Sequence, residues 1–199
     1  MSISDEKAKI RKEMRRRRME ISSAKLAAIN DTLPGFIAAI EDEELQTELS
    51  NAKRIALYRA FKGEVPVDGL AEYFMKKGIT CCFPRIENGD MSFYDCDSID
   101  EDEFEKSSIG IKEPVAGRKA VDPKSIDIVV LPAVAYNEEG TRLGMGGGYY
   151  DRYFGVSGPD RPYLLGICYE FQICSDIPVD VQDISADFIA VIPEELYGE

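Results

Sequence analysis

The spacing of apolar and polar positions changes character about a quarter of the way along the chain. From Asp5 to about Met19 there is no glycine or proline, acids stand in the first turn and bases follow, and Ser4 precedes the run as an N-cap, which predicts a first helix. Helical spacing resumes from Ser23 to Asn30, reaches Pro34 and Gly35, and resumes again from Phe36 to Leu49, so the proline and glycine are expected to divide two helices. Beyond that point the pattern becomes short apolar runs separated by turns or helices. Arg54 to Tyr58, Thr80 to Phe83, Ile126 to Leu131, Leu164 to Cys168 and Phe188 to Ile192 read as strands, and Met91 to Tyr94 as an added edge strand. Pro66 to Lys77 places Leu70, Tyr73 and Phe74 on one helical face and is followed by Gly78. Strand, helix, strand at this length is a βαβ unit, so an α/β fold with a mostly parallel sheet and helices on both faces is expected.

No repeat, low-complexity linker or composition break divides residues 1–199, and 44% hydrophobic residues suffice for one core, so a single domain is expected. The five cysteines form no CxxC pair and are odd in number, which fits reduced thiols in a cytoplasmic protein. No signal-peptide pattern opens the chain, and no apolar run approaches the roughly 18 residues of a membrane span. A net charge of −13 argues against nucleic acid as a partner. That charge is uneven. Nine of the 24 basic residues lie in the first 25 positions, whereas seven of the eleven residues from Asp95 to Glu105 are acidic, so an anionic ligand is sought near the N-terminus.

The chain has no histidine. Ser-His-Asp and Cys-His systems, HExxH metal sites and imidazole acid/base chemistry are therefore excluded, leaving carboxylates, Lys, Arg, Tyr, backbone amides or a bound metal. The most informative segment is Gly140-Thr-Arg-Leu-Gly-Met-Gly-Gly-Gly-Tyr-Tyr-Asp-Arg152, which follows a strand and leads into a short helix near Tyr149. Gly144, Gly146, Gly147 and Gly148 clear side chains from the approach, so backbone amides can face phosphate oxygens. The spelling is neither a Walker A loop nor GxGxxG, and a turn needed only for chain reversal is the alternative.

Lys7, Arg11, Arg15 and Arg18 share a helical face, and phosphate binding and a solvated basic face account for that stripe equally. Asp151 is placed to hold a divalent cation, with Asp183 or Asp187 as a second acid, although helix capping and surface placement explain these three better on spacing alone. Glu64 follows Gly63 at a strand end beside Phe61, which can stack on a flat ring; an exposed Glu opening the next helix is an equal reading.

Taken together, Lys7-x-x-Ile10-Arg11, Ala56-Leu57-Tyr58 with Gly63-Glu64, Gly110-Ile111-x-Glu113-Pro114 and Arg142-Leu-Gly-x-Gly-Gly-Gly-Tyr-Tyr-Asp151 resemble the 5-formyltetrahydrofolate cyclo-ligase family, in order, from about Lys7 to Val191. The resemblance implies a single three-layer, Rossmann-like α/β domain acting on small molecules, and a monomer is expected. ATP would be bound by Lys7, Arg11, Arg142, Gly144, Gly146, Gly147, Gly148, Tyr149 and Tyr150. Folate would be bound by Arg59, Glu64 and Met145 through Tyr149, to which the stacking reading adds Phe61, and magnesium by Asp151 and Asp183. Catalytic roles are implied for Lys7, Arg142 and Tyr149. The implied reaction is phosphorylation of the formyl oxygen by ATP followed by ring closure to 5,10-methenyltetrahydrofolate. The chain departs from many relatives in having Gln182 where they have histidine and Val191 where Thr is common. A non-catalytic nucleotide- or folate-binding protein of the same fold is the alternative, and an ATP-independent relative of sugar-phosphate isomerases or CoA-transferases is a third reading.

Overall fold

The computed structural model describes residues 2–155, 161–175, 177–178 and 184–198. Among these residues, five helices, α1 (Ile3–Glu20), α2 (Ser23–Ala38), α3 (Glu43–Asn51), α4 (Asp68–Lys76) and α5 (Tyr149–Phe154), accompany ten strands. The central sheet contains β1 (Arg54–Ala56), β2 (Thr80–Glu87), β3 (Asp90–Cys96), β6 (Ile128–Leu131), β9 (Tyr163–Tyr169) and β10 (Phe188–Ile192) in the order β10-β9-β6-β1-β2-β3. All neighbours run parallel except β3, which returns antiparallel from β2 as the edge strand. Two small hairpins, β4 (Phe104–Lys106) with β5 (Lys112–Pro114) and β7 (Ala135–Tyr136) with β8 (Arg142–Leu143), lie outside the sheet.

Alternation along β1 divides the core. Ile55 and Leu57 join Cys81, Phe83, Ile128 and Val130 beneath Ile29, Leu33 and Ile37 of α2, Leu45 of α3, and Leu70 and Phe74 of α4. Ala56, Cys82, Val129 and Leu131 face the other way, against Met91 and Phe93 and the aromatic side of α5. The helical cover is thus unequal, three helices on one face and one short helix on the other. No described helix is long and apolar enough to cross a membrane, and four of the five free cysteines are buried.

Several boundaries differ from the expectations, each for a local reason. Ser2 caps α1, accepting from the Asp5 amide in a reciprocal capping box, so the helix starts before Ser4. α2 runs through Pro34 and Gly35 to Ala38. The Asn30 carbonyl, which a non-proline residue 34 would have met, lies where a Cβ on Gly69 of α4 would stand, 2.3 Å away, and Asn30 Oδ1 accepts from the Gly69 amide at 2.8 Å. Burial of Ile29, Leu33 and Ile37 along this contact offsets the proline defect. The break falls instead before Asp42, which caps α3 by accepting from the Leu45 amide. β2 and β3 are longer than expected because they pair with each other from Cys81–Cys96 to Glu87–Asp90.

The sheet order reverses direction of winding between β1 and β6. That is where an open α/β sheet leaves a crevice at its carboxyl edge.

Candidate active site

A cavity of about 440 Å³ occupies that crevice. Its walls come from α1, the loop after β1, the β2–β3 ribbon, the β4–β5 hairpin and the segment from β8 into α5. α1 is seated by Ile10 and Met14, which pack with Val134, Ala135 and Leu143. This docking turns Lys7 and Arg11, on the adjoining row of the helix, into the cavity wall.

The glycine loop closes one side. Gly146 and Gly148 have φ of +100° and +63°, which side-chain-bearing residues rarely adopt, and a Cβ on Gly147 would lie 2.7 Å from the Tyr149 ring. Among the described residues, the backbone amides of Met145 through Gly148 donate to no protein acceptor. A run of amides facing a cavity is suited to anionic oxygen. The loop is held by Arg11 Nε donating to the Gly144 carbonyl at 2.9 Å and Arg152 Nη1 donating to the Gly147 carbonyl at 2.8 Å. Arg15 Nη2 reaches Met145 Sδ at 3.5 Å.

Arg142 is buried and lies behind the loop, donating to Asp151 Oδ1 at 2.5 Å and to the Pro132 carbonyl at 3.2 Å. Asp151 also accepts from the Ile184 amide at 3.2 Å through the same oxygen. The helix-capping reading of Asp151 does not hold, since Gly148 caps α5 and no side chain bonds there. Asp151 lines the cavity beside the glycine loop. A lone carboxylate next to a phosphate cradle fits magnesium, which is usually held by one or two carboxylates together with phosphate oxygens and water. Among the described residues there is no cluster of three or more potential ligands, and Asp183, like Gln182, lies outside the described residues. Asp187 is engaged elsewhere, in a two-point pair with Arg161.

The opposite wall is more apolar. Phe61, Pro84, Ile86, Met91 and Ile111 line it, and the exposed side chains of Ile109 and Met145 stand at its mouth. Three charged groups interrupt it. Arg59 is buried, 4.3 Å over the Phe104 ring and 3.5 Å from Asp68. Glu64 accepts from the Phe61 amide at 3.0 Å and lies 3.6 Å from Arg18; burial pushes its carboxyl up, with Arg18 chief among the influences opposing that rise. Glu113 is buried as well, and burial raises its carboxyl against the lowering effect of Arg85. Burial likewise raises the Tyr150 hydroxyl well above its ordinary value, so Tyr150 serves as a neutral group.

The fold therefore brings Lys7, Arg11, Arg59, Phe61, Glu64, Arg142, the glycines, Tyr149, Tyr150 and Asp151 to one cavity. It separates the four-base stripe of α1, since Arg18 is buried beneath the site. Tyr58, Ile109 and Glu113 are additional lining residues. Glu113 belongs to the Gly-Ile-x-Glu-Pro element, where a carboxylate between a glycine turn and a proline was a usable signal.

An open α/β sheet with a cavity at its switch point, walled by a glycine loop, a basic helix and an apolar face, is the architecture of a small-molecule-binding α/β domain. A profile of the 5-formyltetrahydrofolate cyclo-ligase family matches residues 3–192. The mouse 5-formyltetrahydrofolate cyclo-ligase is 30% identical over 149 residues, covering 70% of this chain and 73% of the mouse protein. The Mycoplasma pneumoniae protein of that name is 28% identical over 190 residues, covering 92% and 97%. The solved structure of Aquifex aeolicus 5,10-methenyltetrahydrofolate synthetase superposes with a TM-score of 0.74 at 28% identity, covering 93% of this chain and 89% of that one. The chain belongs to the 5-formyltetrahydrofolate cyclo-ligase family, and it is an enzyme of the ligase class.

Proposed function

We propose that this enzyme converts 5-formyltetrahydrofolate to 5,10-methenyltetrahydrofolate, consuming ATP in the presence of magnesium and releasing ADP and phosphate. The observation that carries the proposal is the two-sided cavity, with unpaired loop amides and Lys7 and Arg11 on one side and an apolar wall with Phe61 and Glu64 on the other. A triphosphate and a reduced pterin differ in the same way.

A formamide carbon is a weak electrophile, because the nitrogen lone pair is delocalised into the carbonyl and the oxygen is a poor leaving group. In the proposed reaction the formyl oxygen forms a bond to the γ-phosphorus as the bridging bond to ADP breaks. N10 then bonds to the formyl carbon, the carbon–oxygen bond breaks with departure of phosphate, and the N10 proton is lost. The protein's contribution to such steps is alignment and charge neutralisation. Lys7, Arg11 and the amides of Met145 through Gly148 bind and orient the phosphates, and Tyr149 and Phe61 border the flat ring. Arg142 fixes the carboxylate of Asp151, which would hold magnesium; the ion supplies positive charge to the phosphate oxygens. None of these roles requires histidine, so Gln182 is compatible with turnover.

The test is appearance of the near-ultraviolet absorbance of methenyltetrahydrofolate from 5-formyltetrahydrofolate. Product that requires protein, ATP and magnesium together is expected. Folded protein that binds ATP in calorimetry yet forms no product would overturn the proposal in favour of a binding protein.

A further inference from the structure

Arg18 is the least exposed charged side chain among the described residues, at 1%. It stands four residues after Met14 and eight after Ile10, so it continues the buried row of α1 where an apolar residue would serve the packing. Instead a guanidinium lies there, with Nε and Nη2 lacking hydrogen-bond partners. Burying a cation so incompletely satisfied is costly. Its two contacts both lead to the cavity lining: Nη1 is 3.6 Å from Glu64 Oε1 and donates to the Ala133 carbonyl at 3.5 Å. The backbone reinforces the junction. A Cβ on Gly63 would stand 2.4 Å from the Arg18 carbonyl oxygen, so α1 and the Glu64 loop touch directly at a glycine with φ of +74°.

We infer that Arg18 is a positioning residue for folate: from below the cavity floor it fixes Glu64 as a charged acceptor for the N–H edge of the reduced pterin. This rests on the reaction proposed above. The pyrimidine edge of a reduced pterin carries a ring N–H and an amino group side by side, which a carboxylate can accept in parallel. A protonated Glu64 would turn a donor toward those donors. Burial favours that protonated form; Arg18, the Phe61 amide and Arg15 oppose it, and the remaining ionisable neighbours, Tyr58, Tyr150 and Tyr169, are neutral hydroxyls held so by burial. Of the two cations, Arg18 is the one in contact.

The test compares Arg18→Met, which keeps the length and suits the apolar row, with Arg18→Lys, Glu64→Gln and the Arg18→Met/Glu64→Gln double variant, all in the full chain and with melting temperatures recorded. Arg18→Met is expected to raise KM for 5-formyltetrahydrofolate about tenfold while KM for ATP stays within about twofold, the size of losing one charge-assisted contact. Arg18→Lys is expected to recover most of that loss, and adding Arg18→Met to Glu64→Gln to change little further. Independently of turnover, the ¹³C resonance of Glu64, assigned with Glu64→Gln, should titrate at higher pH in Arg18→Met than in wild type. Should Arg18→Met fail to fold, Arg18→Gln, which keeps a donor for Ala133, takes its place in the same measurements. An unmoved Glu64 titration, an equal rise in both KM values, or full additivity with Glu64→Gln would overturn the inference. Absence of turnover in the wild type would instead strike the proposed reaction, leaving the resonance measurement to decide on Arg18.

Discussion

Arg142 reaches back across the root of the glycine loop to hold Asp151, its Nη2 2.5 Å from Oδ1. The arginine is 5% exposed, its other hydrogen bond goes to a backbone carbonyl, and Asp151 is its sole carboxylate partner among the described residues. Removing the carboxylate consequently has two separable effects. Asp151→Ala should cost about 1–3 kcal/mol of stability, because a buried charged donor is left unmet. Asp151→Asn keeps an oxygen for Arg142 but not the negative charge, and should melt closer to wild type while showing a strongly raised magnesium requirement. Melting curves and magnesium titrations of turnover on both variants check this; equal magnesium dependence in wild type and Asp151→Asn would remove Asp151 from the metal site.

Gly63 is the second position where a single atom decides. Gly63→Ala meets both an unfavourable positive φ and the Arg18 carbonyl, which is backbone and cannot swing aside. A loss of at least about 1–3 kcal/mol is expected from the backbone strain alone. Since α1 carries Lys7 and Arg11, the variant should also bind ATP more weakly. Chemical denaturation measures the first effect and calorimetric titration with ATP the second, and a variant as stable as wild type would show that this junction can relax.

How far the sequence discloses these relations depends on how local they are. The parallel core was legible because β6 and β9 are continuous apolar runs and α4 has a clear apolar face. The glycine loop was legible because clustered glycines beside tyrosines have few other uses. Arg18 reads from spacing as part of the basic stripe, yet its i+4 relation to Met14 and i+8 relation to Ile10 place it equally on the buried row; the choice belongs to α1 docking on Val134 and Leu143, a contact more than 100 residues distant in sequence. Pro34 is a second case in which a distant contact overrides a local signal. Its local cost is real, and only the approach of Gly69 shows how the helix sustains it. The β4–β5 and β7–β8 hairpins are pairs of two or three residues, too short for any periodicity to register.

Lys7 and Arg11 make different contributions to one wall. Arg11 also braces the Gly144 carbonyl, so Arg11→Ala should loosen the loop as well as remove charge, lowering kcat and raising KM for ATP. Lys7→Ala should act mainly on phosphate binding, raising KM for ATP by roughly tenfold, the weight of one charge-assisted hydrogen bond. Neither should alter KM for folate more than about twofold, since both lie across the cavity from the apolar wall, and independent sites add. Steady-state kinetics with each substrate varied in turn check this, and a dominant folate effect would reverse the assignment of the two walls.

Glu113 gives a pH dependence whose sign follows from its burial. Its carboxyl is raised above the usual 4.5 in the folded chain, chiefly by loss of water, with Arg85 and the Ile86 amide only partly opposing. The folded state therefore takes up the proton more readily than the unfolded state. This contribution to stability is fully present below the unfolded value and is lost as pH rises through the folded one. At neutral pH the ionised carboxylate is a burden on the fold that Glu113→Gln relieves. The variant should melt higher than wild type at pH 7 to 8 and converge with it as pH falls below about 4.5. Paired melting curves across that range check the sign. A variant less stable than wild type at neutral pH would mean that Arg85 and the Ile86 amide outweigh desolvation, and Glu113 would then be a structural anion of the β5–β2 contact.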